Sequence, residues 1–208
     1  MEDSERAKWN TPFKKKGNWV TLIPLEFSHE QDLIEAVKDG ELWKLWFARV
    51  PSPEGMKAEI QRRLNLADQG KMMPFTVLNQ DGKVVGMTSY QLLDPPNKRV
   101  EIGFTWYANS VQKTPLNTEA KLILLTHAFE VLDCIAVGFT TSSYNEGSRR
   151  SIERLGAKLD GILRNHSILS GGVIRDTCYY SILNNEWPAV KKNLTWKLEQ
   201  YAIKEKLT

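Results

Sequence analysis

The chain has 208 residues, 41% hydrophobic, 25% charged and 10% aromatic, which suits one globular domain with a real core and excludes a disordered or fibrous chain. Its formal net charge is +3, with 28 basic residues balanced by 25 acids, so composition gives no reason to expect nucleic-acid binding, although a polyanionic ligand is compatible with it. No stretch reaches about 18 apolar residues, Cys134 and Cys178 form no CxxC, and His29, His127 and His166 lack metal-ligand spacing; the expectation is a soluble cytoplasmic protein with no metal, disulfide or membrane contact.

The basic run "FKKKGNW" (Phe13–Trp19) reads as a solvated lead-in to the first strand, "WVTLIPL" (Trp19–Leu25). "SHEQDLIEAV" pairs Ser28 with Gln31 three residues on, the pattern of a capping box opening a helix. "ELWKLWFARVPSPEG" predicts a short helix and a loop, and "MKAEIQRRLNLADQG" an amphipathic helix stopped by Gly70. Two β-rich runs flank Asp81-Gly82, a hairpin signal. "RVEIGFTWY" (Arg99–Tyr107) alternates Val100, Ile102, Phe104 and Trp106 as a strand. A helix from about Thr118 to Leu132 follows, then the strand "CIAVGFTTS", a helix ending at Gly156, two strands joined around Gly171-Gly172, and an amphipathic terminal helix. Strand, crossover helix and strand from Arg99 to Thr141 form a βαβ unit, so a parallel pair is expected there within a mixed α/β sheet.

The segment "VQKTPLNTEA" opens the crossover helix with more polar groups than one cap needs. A helix start after a strand offers unpaired N–H groups and partial positive charge, an anion site that Lys113 would assist; the plainer reading is capping by Thr114 or Asn117, with Pro115 in the first turn. No GxxxxGK[ST] is present.

Taken together, Glu101-Ile102-Gly103-Phe104, Gln112-Lys113, Asn117-Thr118-Glu119-Ala120, Asn145, Ser148, Arg154-Leu155-Gly156-Ala157 and Arg175-Asp176-Thr177 resemble, in order and spacing, the GNAT superfamily of acetyl-CoA-dependent N-acyltransferases, in its Rim-like branch acting on ribosomal-protein N-termini. The resemblance runs from about Trp19 to Trp187 and implies a lead-in (1–18), a GNAT domain (19–187) and a helical tail (188–208). It implies a GNAT-type mixed, mostly antiparallel twisted sheet with a central parallel pair, helices on both faces and an extra C-terminal helix. It also implies acetyl-CoA as co-substrate, with Gln112, Lys113, Thr114, Asn117, Thr118 and Asn145 as its contacts. Pro115 departs from the family's glycine and removes one N–H donor, and Asn117 stands where glycine or alanine is usual.

Amine acetylation needs a base for the attacking amine, polarisation of the thioester carbonyl and an acid for the leaving thiolate. Glu101, on the strand face opposite Val100 and Ile102, is the candidate base, or else an ion-pair partner of Arg175. The resemblance offers Ser148 as acid in place of a helix tyrosine that the stretch from Asn145 to Leu155 lacks, and Trp43 and Trp46 as acceptor contacts; the plainer readings are a first-turn serine and core or lid packing. Arg149 and Arg150 read as a solvated face or as contacts of the 3′-phosphate. The expected function is direct transfer of acetyl to a primary amine of a protein N-terminus, peptide or small molecule within a ternary complex, by an enzyme that base rates make a homodimer. The alternative is a GNAT-like module, weakly active or inactive, that binds acyl-CoA or a protein partner.

Overall fold

The computed structural model describes residues 8–206. Eight strands form one sheet: β1 (Lys15–Lys16), β2 (Val20–Pro24), β3 (Met72–Asn79), β4 (Val84–Asp94), β5 (Arg99–Tyr107), β6 (Ala136–Ser142), β7 (Lys158–Ile168) and β8 (Ile174–Leu183). Their order is β1-β2-β3-β4-β5-β6-β8-β7, and every pairing is antiparallel except β5 with β6. Beyond a helical stretch at Lys8–Asn10, the long helices among the described residues are α1 (Glu30–Lys38), α2 (Met56–Asp68), α3 (Leu116–Glu130), α4 (Glu146–Leu155) and α5 (Trp187–Glu205).

The sheet has a different core on each face. Val100, Ile102, Val137 and Ile182 point toward α3, where Leu124 and Leu125 are fully buried, and Leu194 of α5 closes this core from outside. Met87 and Trp106 point the other way, onto Leu33 of α1 and Ile60 of α2. Each large apolar side chain so buried contributes about 1.5–3 kcal/mol. The α5 helix belongs to the same body: Trp187 stacks on Phe129 of α3 at 5.1 Å, and its indole N–H donates to Glu130.

Local sequence explains most element ends. Gly82 closes the β3–β4 hairpin at φ +81°, and Gly156 ends α4 at φ +106°, in the left-handed region where a Cβ is penalised. Asn145 caps α4, its side-chain oxygen accepting from the Ser148 N–H at 3.0 Å. Three expectations change. The helix expected at Thr118 starts at Leu116, because Pro115, with φ −64° and no N–H to lose, takes the cap position. Ser28 is not the expected cap; Glu26 and His29 cap each other around a 3-10 turn, with the Glu26 N–H donating to His29 Nδ1 at 3.2 Å.

The third change concerns β5. The unbroken alternation of Val100, Ile102, Phe104 and Trp106 does not hold. Ser89 pairs with Gly103 but Met87 with Trp106, so β5 carries one extra residue, and Phe104 sits at φ +49°. Val100 and Ile102 face α3, while Trp106 faces α1 and α2.

Candidate active site

The parallel pair opens where the bulge begins. β5 and β6 are in register only from Arg99 with Ala136 to Glu101 with Gly138. Beyond that point the strands separate, leaving a wedge between the Gly103–Tyr107 and Phe139–Ser142 backbones. Two buried cations hold the bulge. On one side Arg63 of α2 donates from Nη2 to the Phe104 carbonyl at 2.9 Å, from Nη1 to Ser89 at 3.0 Å and from Nε to Glu59 at 2.7 Å. On the other, Lys121 of α3 donates to the Thr105 hydroxyl at 2.9 Å.

The top of the wedge meets the start of α3. Lys113 adopts φ +61°, turning the chain into the helix. Among the described residues, the N–H groups of Lys113, Thr114, Asn117 and Thr118 have no protein acceptor, while that of Leu116 donates to Thr114 Oγ1 at 3.3 Å. Four free donors at a positive helix end fit a phosphate-bearing group. The side chains expected to help are largely committed to the loop. Gln112 donates to the Tyr107 carbonyl at 3.1 Å, Thr114 donates to the Val111 carbonyl at 2.7 Å, and the buried Thr118 hydroxyl accepts from Arg154 at 3.2 Å. The cradle is therefore main chain, with Lys113 and Asn117 as the side chains left for a ligand.

Glu101 lies at the last paired residue below the wedge. It makes no ion pair with Arg175; Gln91 Nε2 and the Thr140 hydroxyl donate to the same oxygen, Oε2, at 3.2 and 3.4 Å. Oε1 has no protein partner among the described residues. Burial pushes this carboxyl above its ordinary range, against the lowering pull of Thr140, Gln91 and Arg99. Gly138 is required beside it, since a Cβ there would meet Glu101 Cγ at 2.9 Å. Glu101, Arg99, Asp94, Ile135 and Gly138 line an open cleft of about 610 Å³.

The loop after α1 reaches across to the first turn of α4. Trp46, 53% exposed, places its ring 5.2 Å from that of Tyr144. Trp43 instead packs against the core beneath α1 and α2, so only one of the two tryptophans reaches the site. Asn145 spends its carboxamide oxygen on capping, and Ser148 is half-buried with no partner for its hydroxyl among the described residues. Arg149 donates to Tyr180 at 3.1 Å and Arg150 pairs with Glu146 at 2.9 Å.

Four residues at the site were not singled out from sequence. Gln91 and Thr140 are neutral and carry no motif. Tyr144 precedes the helix by two residues, just outside the stretch searched for a tyrosine. Tyr179 faces Thr140 across the β6–β8 register; burial and the Glu101 charge push its phenol up, against the Arg175 charge. Facing residues on neighbouring strands are the one signal that could have found Thr140 and Tyr179.

Comparison with known proteins gives a consistent result. The model of the acetyltransferase (GNAT) domain matches residues 20–158. The chain is 36% identical over 111 residues to a Bacillus subtilis (strain 168) protein named "Putative ribosomal N-acetyltransferase YdaF"; the match spans 53% of this chain and 60% of that protein's length. A solved structure of a "putative acetyltransferase" from T. thermophilus is 33% identical, with a TM-score of 0.79 over 90% of this chain and 98% of that one. A GCN5-related N-acetyltransferase from Brucella melitensis is 28% identical, with a TM-score of 0.77 over 89% and 85%.

Proposed function

Because this chain belongs to the GNAT acetyltransferase family, we propose that it transfers acetyl from acetyl-CoA to a primary amine, by direct attack within a ternary complex. One observation carries the reading: the β5–β6 pair opens directly above a desolvated carboxylate and directly below four free N–H groups. The N–H groups of Lys113, Thr114, Asn117 and Thr118 bind the pyrophosphate of the co-substrate. The wedge takes its pantetheine arm, and unpaired β5 N–H groups polarise the thioester carbonyl.

Glu101 takes the proton of the attacking amine onto its free oxygen Oε1, directly or through one water. A raised carboxyl serves this role better than an ordinary one, because its basicity lies closer to the working pH. The leaving thiolate takes a proton from Ser148 or from the Tyr144 phenol beside it. Trp46 and the Glu101 cleft receive the acceptor. The relative named as ribosomal, together with the open form of the cleft, favours a protein or peptide N-terminus over a small amine.

Thermal unfolding with acetyl-CoA, followed by thiol release with a panel of amines, tests the reading. A ligand at 100 times its Kd stabilises by about 2.7 kcal/mol. Stabilisation together with amine-dependent thiol release is the expected result. Stabilisation with no turnover of any amine would leave an acyl-CoA-binding module. Comparison of Ser148→Ala with Tyr144→Phe separates the two candidate acids: the true acid loses kcat with KM for acetyl-CoA held.

A further inference from the structure

The sheet face that carries Glu101 continues past the reacting centre onto β6 and β8. Thr140 lies beside Glu101, Tyr179 faces Thr140 in register, and Arg175 follows Tyr179 four residues back on the same face of β8. Arg175 pairs in register with Ser167 of β7. Both carry an enclosed polar atom without a protein partner, Arg175 Nε and Ser167 Oγ. Directly opposed residues of an antiparallel pair present their side chains to the same space, so two orphan donors converge there.

A second cation adds to them. Arg49, from the loop that brings Trp46 to Tyr144, places its charge against Arg175; burial and that repulsion both lower the Arg175 guanidinium from its ordinary value. The other groups acting on Arg175 are Tyr179 and Cys178, and among the described residues no carboxylate pairs with Arg49 or Arg175. Arg175 Nε and Ser167 Oγ are thus buried donors without a protein acceptor, with the charge of the exposed Arg49 added to theirs, an arrangement that an anion would satisfy.

We propose that Arg175, Ser167 and Arg49 form an anion-binding subsite of the acceptor groove, and that it selects peptides carrying a carboxylate about four residues from the reacting amine. The proposal rests on the transferase reading above. Its spacing follows from strand geometry: four residues of β8 separate Arg175 from Tyr179 by roughly 13 Å, at about 3.3 Å each. A free amino acid holds amine and carboxylate within one residue and cannot reach from Glu101 to Arg175. An extended peptide covers the distance in about four residues.

The test uses six-residue peptides with a free N-terminus, differing only in a glutamate, glutamine or lysine as the fourth residue. Thiol release is followed with wild type, Arg175→Gln and Arg49→Gln. The glutamate peptide is expected to exceed the lysine peptide by about 10-fold or more in kcat/KM. That preference should fall to within about 2-fold in Arg175→Gln and weaken in Arg49→Gln, while KM for acetyl-CoA stays unchanged. Equal use of the peptides by wild type, or a preference that survives Arg175→Gln, overturns the proposal. So does a rise in KM for acetyl-CoA that vanishes with dephospho-acetyl-CoA, which would assign the subsite to the 3′-phosphate of the co-substrate.

Should none of the peptides be acetylated, titration of the protein's tryptophan fluorescence with the N-acetylated glutamate peptide decides. Tighter binding to wild type than to Arg175→Gln, weakened by salt, upholds the subsite; equal binding overturns it. Failure of the transferase reading is seen separately, as the absence of stabilisation by acetyl-CoA or as stabilisation without turnover of any amine.

Discussion

Arg63 and Lys121 are both buried beside the β5 bulge, one on each face of the sheet, and they meet the cost of a buried charge differently. Arg63 is 0% exposed, yet each of its donating nitrogens has an acceptor, and one acceptor is the Glu59 carboxylate. Its guanidinium keeps its charge. Lys121 is 6% exposed and has only hydroxyls, Thr105 at 2.9 Å and Thr88 at 3.5 Å. No anion offsets its desolvation, and burial brings its pKa down to about 7. Burial lowers both cations, the Arg63 guanidinium against the raising pull of Glu59, but the guanidinium starts from a far higher ordinary value, so Arg63 stays charged while the unpaired Lys121 is brought into the neutral range.

The largest effect should come from breaking the paired side. Arg63→Met leaves the Phe104 carbonyl and Ser89 without a donor and Glu59 with Arg62 alone. A loss of about 3–5 kcal/mol is expected in urea unfolding. If Arg63→Met cost no more than a surface substitution, the Arg63 clamp would be irrelevant to the bulge.

Next comes the desolvated carboxylate at the other end of the opened strand. Glu101→Gln should slow amine acetylation by about 10²-fold or more, since positioned bases contribute on the order of 10²–10⁴. The same variant carries an independent signature. The folded-state pKa of Glu101 lies above the ordinary 4.5, so the fold binds this proton more tightly than the unfolded chain does. Its contribution to stability is complete below pH 4.5 and declines as pH rises through the folded pKa. Glu101→Gln should therefore gain stability relative to wild type above that window and show no gain at about pH 4. An unchanged rate in Glu101→Gln would remove Glu101 from catalysis whatever its stability profile.

The third effect belongs to Lys121, and its sign with pH is opposite. Its folded pKa of about 7 lies below the unfolded 10.5, so between these values the folded state binds fewer protons. Stability should rise with pH across that window, by up to roughly 1.4 kcal/mol per pH unit. Urea midpoints at about pH 7, 8.5 and 10 measure the slope, and Lys121→Met should flatten it. A flat wild-type profile would mean that the two hydroxyls solvate the ammonium as well as water does.

Sequence reading was strong wherever structure depends on local chemistry. The Asp81-Gly82 hairpin, the Gly156 stop and the parallel unit from Arg99 to Thr141 are all present. It failed at the bulge for a physical reason. Both faces of β5 are apolar at the relevant positions, so a slip of one residue moves Trp106 from one core to the other without placing a polar group wrongly. At the site, the polar character of the α3 mouth was legible, but not that Gln112 and Thr114 shape the loop while main-chain groups face the ligand. The expected Glu101–Arg175 pair failed because the four-residue step along β8 separates Arg175 from the position facing Thr140. Neutral Gln91 and Thr140 sit nearer.

The Glu119 carboxylate in the first turn of α3 accepts the N–H groups of Asn18, Trp19 and Val20 at 2.8, 2.7 and 3.0 Å. One side chain thus ties three consecutive amides at the start of β2 to the helix whose mouth receives the co-substrate. Their deuterium uptake cannot be governed by strand pairing alone; it must also follow every excursion of α3. These three amides form a natural clock for that helix, and a ligand that steadies its mouth should slow all three by the same factor.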